Sequence, residues 1–192
     1  MVLLISSVTF VHSPLFLEPY MLFISFLFTA CTSTDKSEDT APEEVSIFAE
    51  TGPMSGMTET HNVIRRAHGI DADLVWDEEL AEVSLEWLQH LEVNNNCQME
   101  HNWDSPLGEN LMWATYYMSA EDVVNGWASE EAFYDYDSNS CQPNEMCGHY
   151  TQIVWEATEK VGCAIIVCDG GTEHMWMCNY DPAGNWVGEK PY

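Results

Sequence analysis

Residues 161–180, VGCAIIVCDGGTEHMWMCNY, are two apolar runs set about Asp169-Gly170-Gly171-Thr172. Each run is bounded by turn residues and is short, so each reads as a strand. A two-residue Gly170-Gly171 turn joins them as a hairpin, and the numbers of every cross-strand pair then sum to 341. Cys163 and Cys178 meet that condition and face each other. Cys163 and Cys168 are five positions apart, and side chains alternate across a sheet, so these two project to opposite faces. Cys168 must therefore find its partner across the other face. Cys141 and Cys147 bracket the short loop QPNEM closely enough to staple it, which leaves Cys97 for Cys168. An even set of six cysteines reads as three disulfides in an exported domain. The set contains no CxxC pair and no zinc-finger spacing.

Upstream of the hairpin the pattern turns helical. Ser119 opens a helix carrying Val123, Val124, Trp127 and Tyr134. Asp77 caps an earlier one, with Glu78 and Glu79 in its first turn, where the helix dipole favours them. Leu80, Val83, Trp87, Leu88 and Leu91 recur along it at helical spacing. Thr58 is placed to cap a short first helix through His61, Ile64 and Arg65, closed by Gly69. Helices interleaved with antiparallel strands predict an α+β layered domain over residues 57–192.

Residues 1–31 read as a signal peptide. Residues 21–30, MLFISFLFTA, are an apolar run of the length of a signal-peptide core, too short to span a bilayer. No Lys or Arg precedes Lys36. Phe28-Thr29-Ala30-Cys31 resembles a bacterial lipobox, whose cysteine is lipidated after cleavage. The expectation is export, either as a secreted protein or anchored through Cys31 at the cell surface or periplasmic face. Residues 32–56 are polar, acidic and punctuated by Pro and Gly, a flexible linker. No internal repeat is present.

Charge narrows the partners. Asp and Glu number 32 against 5 Lys and Arg, a formal net charge of -27. Such a surface repels a phosphate backbone, which argues against nucleic acid. The acidity reads as a heavily solvated surface suited to salty surroundings, with a patch for a cationic partner as the alternative.

Four segments together resemble the CAP family, and above all its plant pathogenesis-related 1 members. They are Thr60-His61-Asn62 with Arg65, Gly108-Glu109-Asn110, residues 148–155 (GHYTQIVW) and residues 178–186 (CNYDPAGNW). The resemblance runs from residue 57 to residue 192 without large gaps, and all six cysteines fall at the plant-type positions. It implies a three-layer α-β-α sandwich with a central antiparallel sheet. It also implies the disulfides Cys97–Cys168, Cys141–Cys147 and Cys163–Cys178, the pairing that the hairpin register gives. Cys31, the linker and the acidity fall outside the pattern.

Taken singly, the polar candidates say little. A lone histidine is most often a hydrogen-bonded structural group, and His61 reads so. Glu130 and Glu131 lie about equally near the apolar stripe of the helix after Ser119, so periodicity does not choose between them. Glu109, between Gly108 and Asn110, reads as a loop residue. The resemblance maps the family's cleft onto His101, Glu109, Glu130 and His149. Two imidazoles and two carboxylates in one cleft could bind a divalent ion, zinc foremost, through neutral nitrogens at ~2.0–2.1 Å. The same four could instead form a hydrogen-bonded network that only bridges the helices. Two buried carboxylates repel, so a metal, a proton or the histidines must compensate.

The reading leans away from an enzyme. Ser105 or Ser129 could serve as nucleophile to a His–Glu base, a protease-like hydrolase, but neither stands in a nucleophile motif and no HExxH is present. The resemblance implies a binding module for a small apolar ligand, sterol- or fatty-acid-like, or for a surface protein partner. Met112, Trp113, Tyr116, Tyr117 and Met118 could line an apolar groove, or pack as core or edge. Residues 182–192, PAGNWVGEKPY, resemble the tail released as a signalling peptide in some plant members.

Overall fold

The computed structural model describes residues 45–192, so the signal-peptide, lipobox and Cys31 readings and most of the linker lie outside the described residues. Strands β5 (Lys160–Cys168) and β6 (Glu173–Asp181) form the hairpin, with Cys163 opposite Cys178 and pairing ending at Cys168 opposite Glu173. The connection is not the two-residue turn expected. It spans residues 169–172 as a 3-10 turn in which Gly170 and Gly171 take φ of 67° and 103°. A longer loop centred on the same two glycines adds one residue to each side. The register is therefore unchanged.

Strand β2 (Gly108–Ala114) pairs antiparallel with β6, and the two-residue β1 (Val75–Trp76) pairs parallel with β5, giving the order β1-β5-β6-β2. The sheet is antiparallel apart from that short edge. Side-chain alternation then builds two cores. Helix α2 (Glu78–Asn94) covers one face, where Leu88 and Leu91 pack with Leu111, Ala164, Ile166, Met175, Met177 and Cys168. Helices α1 (Met57–Ala67), α3 (Ala120–Ala128) and α4 (Gly148–Ile153) cover the other, around Trp127, Tyr150, Ile153, Cys163, Trp176 and Cys178. Cys163 and Cys168 thus do lie on opposite faces, and the fold is the expected three-layer α-β-α sandwich. The disulfides are Cys97–Cys168, Cys141–Cys147 and Cys163–Cys178. A short ribbon of β3 (Tyr134–Asp135) and β4 (Ser140–Cys141) precedes α4.

Local chemistry fixes the elements. Asp77 caps α2 by accepting from the N–H groups of Glu79 and Leu80, and Ser119 with Asp122 forms a capping box on α3. Gly162 lets α2 press onto β5: a Cβ there would stand 2.3 Å from Asp77 O and Ala81 N. Thr58 is not the α1 cap. Gly56, at φ 85°, holds that position, and the Thr58 N–H instead donates to Glu50 Oε1 at 2.7 Å. Gly69 does end the helix, at φ 77°. Tyr134 is not part of α3, because a 3-10 turn (Ser129–Phe133) takes over after Ala128.

Residues 45–56, read as the end of the linker, pack onto the domain. Met54 is buried in the core, and Trp76 Nε1 donates to Phe48 O at 2.8 Å. Among the described residues no helix is long and apolar enough to cross a membrane.

Candidate functional site

The four cleft residues assemble as two His–Glu pairs. His101 sits in the loop between α2 and β2, and its Nδ1–H donates to Glu109 Oε2 at 2.9 Å. The Asn102 N–H donates to the same oxygen at 3.0 Å. Glu109 lies on β2, opposite Asn179, and not in a loop; the polar Glu-Asn pair at its start hides a strand whose apolar residues come later. Its side chain is 5% exposed and that of His101 is 40% exposed. Glu109 Oε1 is buried and has no hydrogen-bond partner.

The second pair is built around α4. The 3-10 turn after α3 rotates the chain so that Glu130 points inward while Glu131 is exposed, the choice periodicity could not make. Glu130 Oε1 accepts from His149 Nδ1–H at 2.6 Å, and its Oε2 accepts from the N–H groups of His149 at 2.9 Å and Tyr150 at 3.3 Å. Cys147, at the N-cap of α4, offers no side-chain cap. Glu130 therefore supplies the cap and orients the imidazole at once. Burial opposes its ionisation, but the hydrogen bond and charge of His149, with the two backbone N–H groups, outweigh it and hold the carboxyl below its ordinary value.

Arg65, quoted only as part of the opening motif, fastens the other end of α4. Its buried guanidinium donates to the carbonyls of Ile153, Trp155, Glu156, Thr158 and Ala72 at 2.7–3.3 Å. A cation at a helix C-terminus is well placed. His61 is structural, as expected. Its Nδ1–H donates to Met57 O and its Nε2 accepts from Tyr180 O–H, both at 2.8 Å. Asn110 Nδ2 in turn donates to Tyr180 Oη and to His149 O, each at 3.1 Å. Arg65, Asn110 and Tyr180 thus belong to the site's frame. No periodicity marks them, since each is a polar residue buried by long-range pairing.

His101, Glu109 and His149 line one cleft of about 340 Å³ with Met146, Cys147, Gly148 and Asn185. Glu130 stands behind His149. Because each Nδ1 donates to a carboxylate, each ring in its neutral form carries its lone pair on Nε2. Among the described residues, no three His, Cys, Asp or Glu side chains stand ready to hold one metal ion. The serines are not aimed at an imidazole: Ser105 Oγ accepts from Leu107 N–H at 3.2 Å, and Ser129 Oγ donates to Gly126 O at 2.6 Å. The aromatic segment divides. Met112 and Met118 pack against the core, whereas Trp113, Tyr116 and Tyr117 are exposed. Residues 182–192 are tied down: Gly184 N–H donates to Gln152 Oε1 and Asn185 Nδ2 to Gly148 O.

Residues 58–180 match the model of the cysteine-rich secretory protein family, CAP. The chain is 43% identical over 132 residues to pathogenesis-related protein PR-1 of Medicago truncatula, covering 68% of this chain and 74% of that protein. It is 44% identical over 133 residues to pathogenesis-related protein 1 of Arabidopsis thaliana, covering 69% and 78%. Among solved structures, venom allergen-like protein 4 of Schistosoma mansoni superposes with a TM-score of 0.59 at 21% identity, over 74% of this chain and 94% of that one. NaASP2, in a structure described as containing Zn2+, does so with a TM-score of 0.57 at 23% identity, over 71% and 82%. Sequence motifs, disulfide framework and layered fold agree: the chain belongs to the CAP family of cysteine-rich secretory proteins.

Proposed function

We propose that the domain is an exported, non-enzymatic binding module whose cleft takes a divalent ion, zinc foremost, between His101 and His149. One observation carries the reading: both Nδ1 atoms are committed to carboxylates, which fixes the tautomer that leaves Nε2 free to ligate. A carboxylate behind a ligating histidine is the usual support of a zinc site. The two Nε2 atoms would be the direct protein ligands, with water completing the shell, and Glu109 and Glu130 would hold the rings. The bound ion would supply a Lewis-acidic contact for a ligand in the cleft. A protein of the same fold, NaASP2, is described with Zn2+.

A second ligand class has its own support. Tyr117 packs over His174 and Trp176, whose Nδ1 and Nε1 are buried without partners. An apolar molecule, such as a sterol, could lie against the exposed Tyr116 and Tyr117 beside them. Export, with Cys31 as the lipid anchor, belongs to the same reading.

Calorimetric zinc titration in excess magnesium tests the ion site, since an imidazole pair discriminates between them. Binding should be stronger near ~pH 7.5 than near ~pH 5.5, because protons compete with the metal for the imidazole nitrogens. His149→Ala should abolish it while the disulfide-stapled fold persists. Zinc binding no stronger than the magnesium background would end the reading. Native mass spectrometry before and after chelation would report metal and co-purified lipid together.

A further inference from the structure

We infer that the small cavity beside the histidine cleft is a subsite for the cationic side chain of a basic peptide, with Glu109 as its counter-charge. This rests on the reading that the cleft is the recognition face of the domain. The cavity holds about 220 Å³ between Asn102, Trp103, Ser105 and Leu107 on one side and Ala183 and Gly184 on the other. Glu109 stands in its wall.

Four observations converge. First, Glu109 spends Oε2 on His101 and Asn102, while Oε1 has no donor although the side chain is 5% exposed. A buried carboxylate oxygen without a donor is an unmet demand, and a charged donor meets it best. Second, no basic residue of the described chain answers it. Arg65 is bound to carbonyls, Arg66 to Glu59 and Asp73, Lys160 to Asp77, and Lys190 lies over Tyr136. Third, Trp103 is 81% exposed at the cavity and its ring centroid lies 5.4 Å from that of His101. With Leu107 it offers an aromatic face and an apolar wall for the stem of Lys or Arg. Fourth, the net charge of -27 draws cations to the surface.

A peptide fits better than a free amine because the cavity opens into a longer run. It shares His101, Glu109 and Asn185 with the cleft, and the cleft shares Cys147, Gly148 and Asn185 with a third hollow, of about 330 Å³, flanked by the exposed Trp186. An extended chain could lie along all three.

The test is fluorescence anisotropy of labelled hexalysine on the full chain, in chelator and at ~0.15 M salt, where long-range attraction between exposed charges is screened. Chelator removes any metal, so a negative result leaves the zinc reading standing, and failed zinc calorimetry leaves this one. Trp103→Ala and Glu109→Gln should each weaken binding about tenfold, as anchors of a small site do. Glu92→Gln and Val93→Ala, placed elsewhere on the surface, should change it less than about twofold. ε-Acetylated hexalysine should not bind, and spermidine should compete far less well than the peptide. Because Trp103 is exposed, its replacement leaves the fold intact and gives an answer even if Glu109→Gln misfolds. Equal losses from all four variants, equal competition by spermidine, or no loss from Trp103→Ala would overturn the proposal.

Discussion

Acid should destabilise the domain through one histidine. Burial, above all, pulls the pKa of His61 from 6.5 down to about 4; the hydrogen bond to Met57 O works against this, and the nearby Arg65 charge works with it. The unfolded chain therefore takes up the proton first. The stability that neutral His61 contributes is complete above the unfolded value and is lost as pH falls from 6.5 towards 4. A gap of about two and a half pKa units, at ~1.36 kcal/mol each, makes the loss roughly 3 kcal/mol. That is a large share of a typical domain's stability of ~5–15 kcal/mol. The geometry gives the same sign: a protonated His61 Nε2 no longer accepts from the Tyr180 O–H, which loses its buried acceptor, and Tyr180 leads through Asn110 to His149.

Denaturant unfolding of the oxidised protein at ~pH 7.5 and ~pH 4.5 would measure the loss, since both values lie on either side of the imidazole range. His61→Gln should be less stable than the wild type near neutrality and should lose little more on acidification. Glu130 enters separately. Its lowered pKa contributes stability that is present above the ordinary carboxylate range and is lost only as pH falls through and below it. If wild type and His61→Gln lost the same stability across the imidazole window, burial of His61 would not be the cause and the reasoning would fail.

Two further outcomes test the frame. Arg65→Met should cost about 3–5 kcal/mol in the same unfolding assay, because it leaves the carbonyls at the end of α4 without their charged donor; a cost under about 1 kcal/mol would mean that they find other partners. The disulfides should rank by loop length. Replacing Cys97 and Cys168, 71 residues apart, should cost about 4 kcal/mol, and replacing Cys141 and Cys147, 6 apart, about 2 kcal/mol. Equal costs would discard chain entropy as the explanation.

What the sequence made legible was whatever a short-range rule governs. The hairpin register followed from two glycines and survived a wrong turn type, because lengthening the loop evenly about them moves no pair. Asp77 and Ser119 were readable as caps because capping is a contact within one turn. Glu109 was misread because two polar residues open β2 before its apolar stretch begins. Thr58 failed as a cap because Gly56 reaches the left-handed backbone more readily and takes the position. Glu130 could not be told from Glu131 by helical phase, since the helix has already tightened to 3-10 where they stand. The resemblance supplied that residue; the change of helix type explains it.

The dependence of the site on α4 follows from the same locality. A helix of 6 residues cannot hold itself together, since isolated helices shorter than ~12–15 residues are marginal in water. Its ends are therefore secured from elsewhere in the chain. Glu130 caps the first turn from the segment after α3, and Arg65 binds the last carbonyls from α1. Asn110 from β2 grips His149 O, and the Cys141–Cys147 bridge closes the loop just before the helix. The side chain of His149 is then aimed by the carboxylate that caps its own backbone. Capping and aiming cannot be separated at Glu130: a change that withdraws its charge loosens the helix and frees the ring together. His101 lacks this arrangement, because its loop is held to Glu109 through Nδ1–H and one backbone N–H. Of the two imidazoles facing the cleft, His149 is the fixed one and His101 the one with room to adjust to what enters.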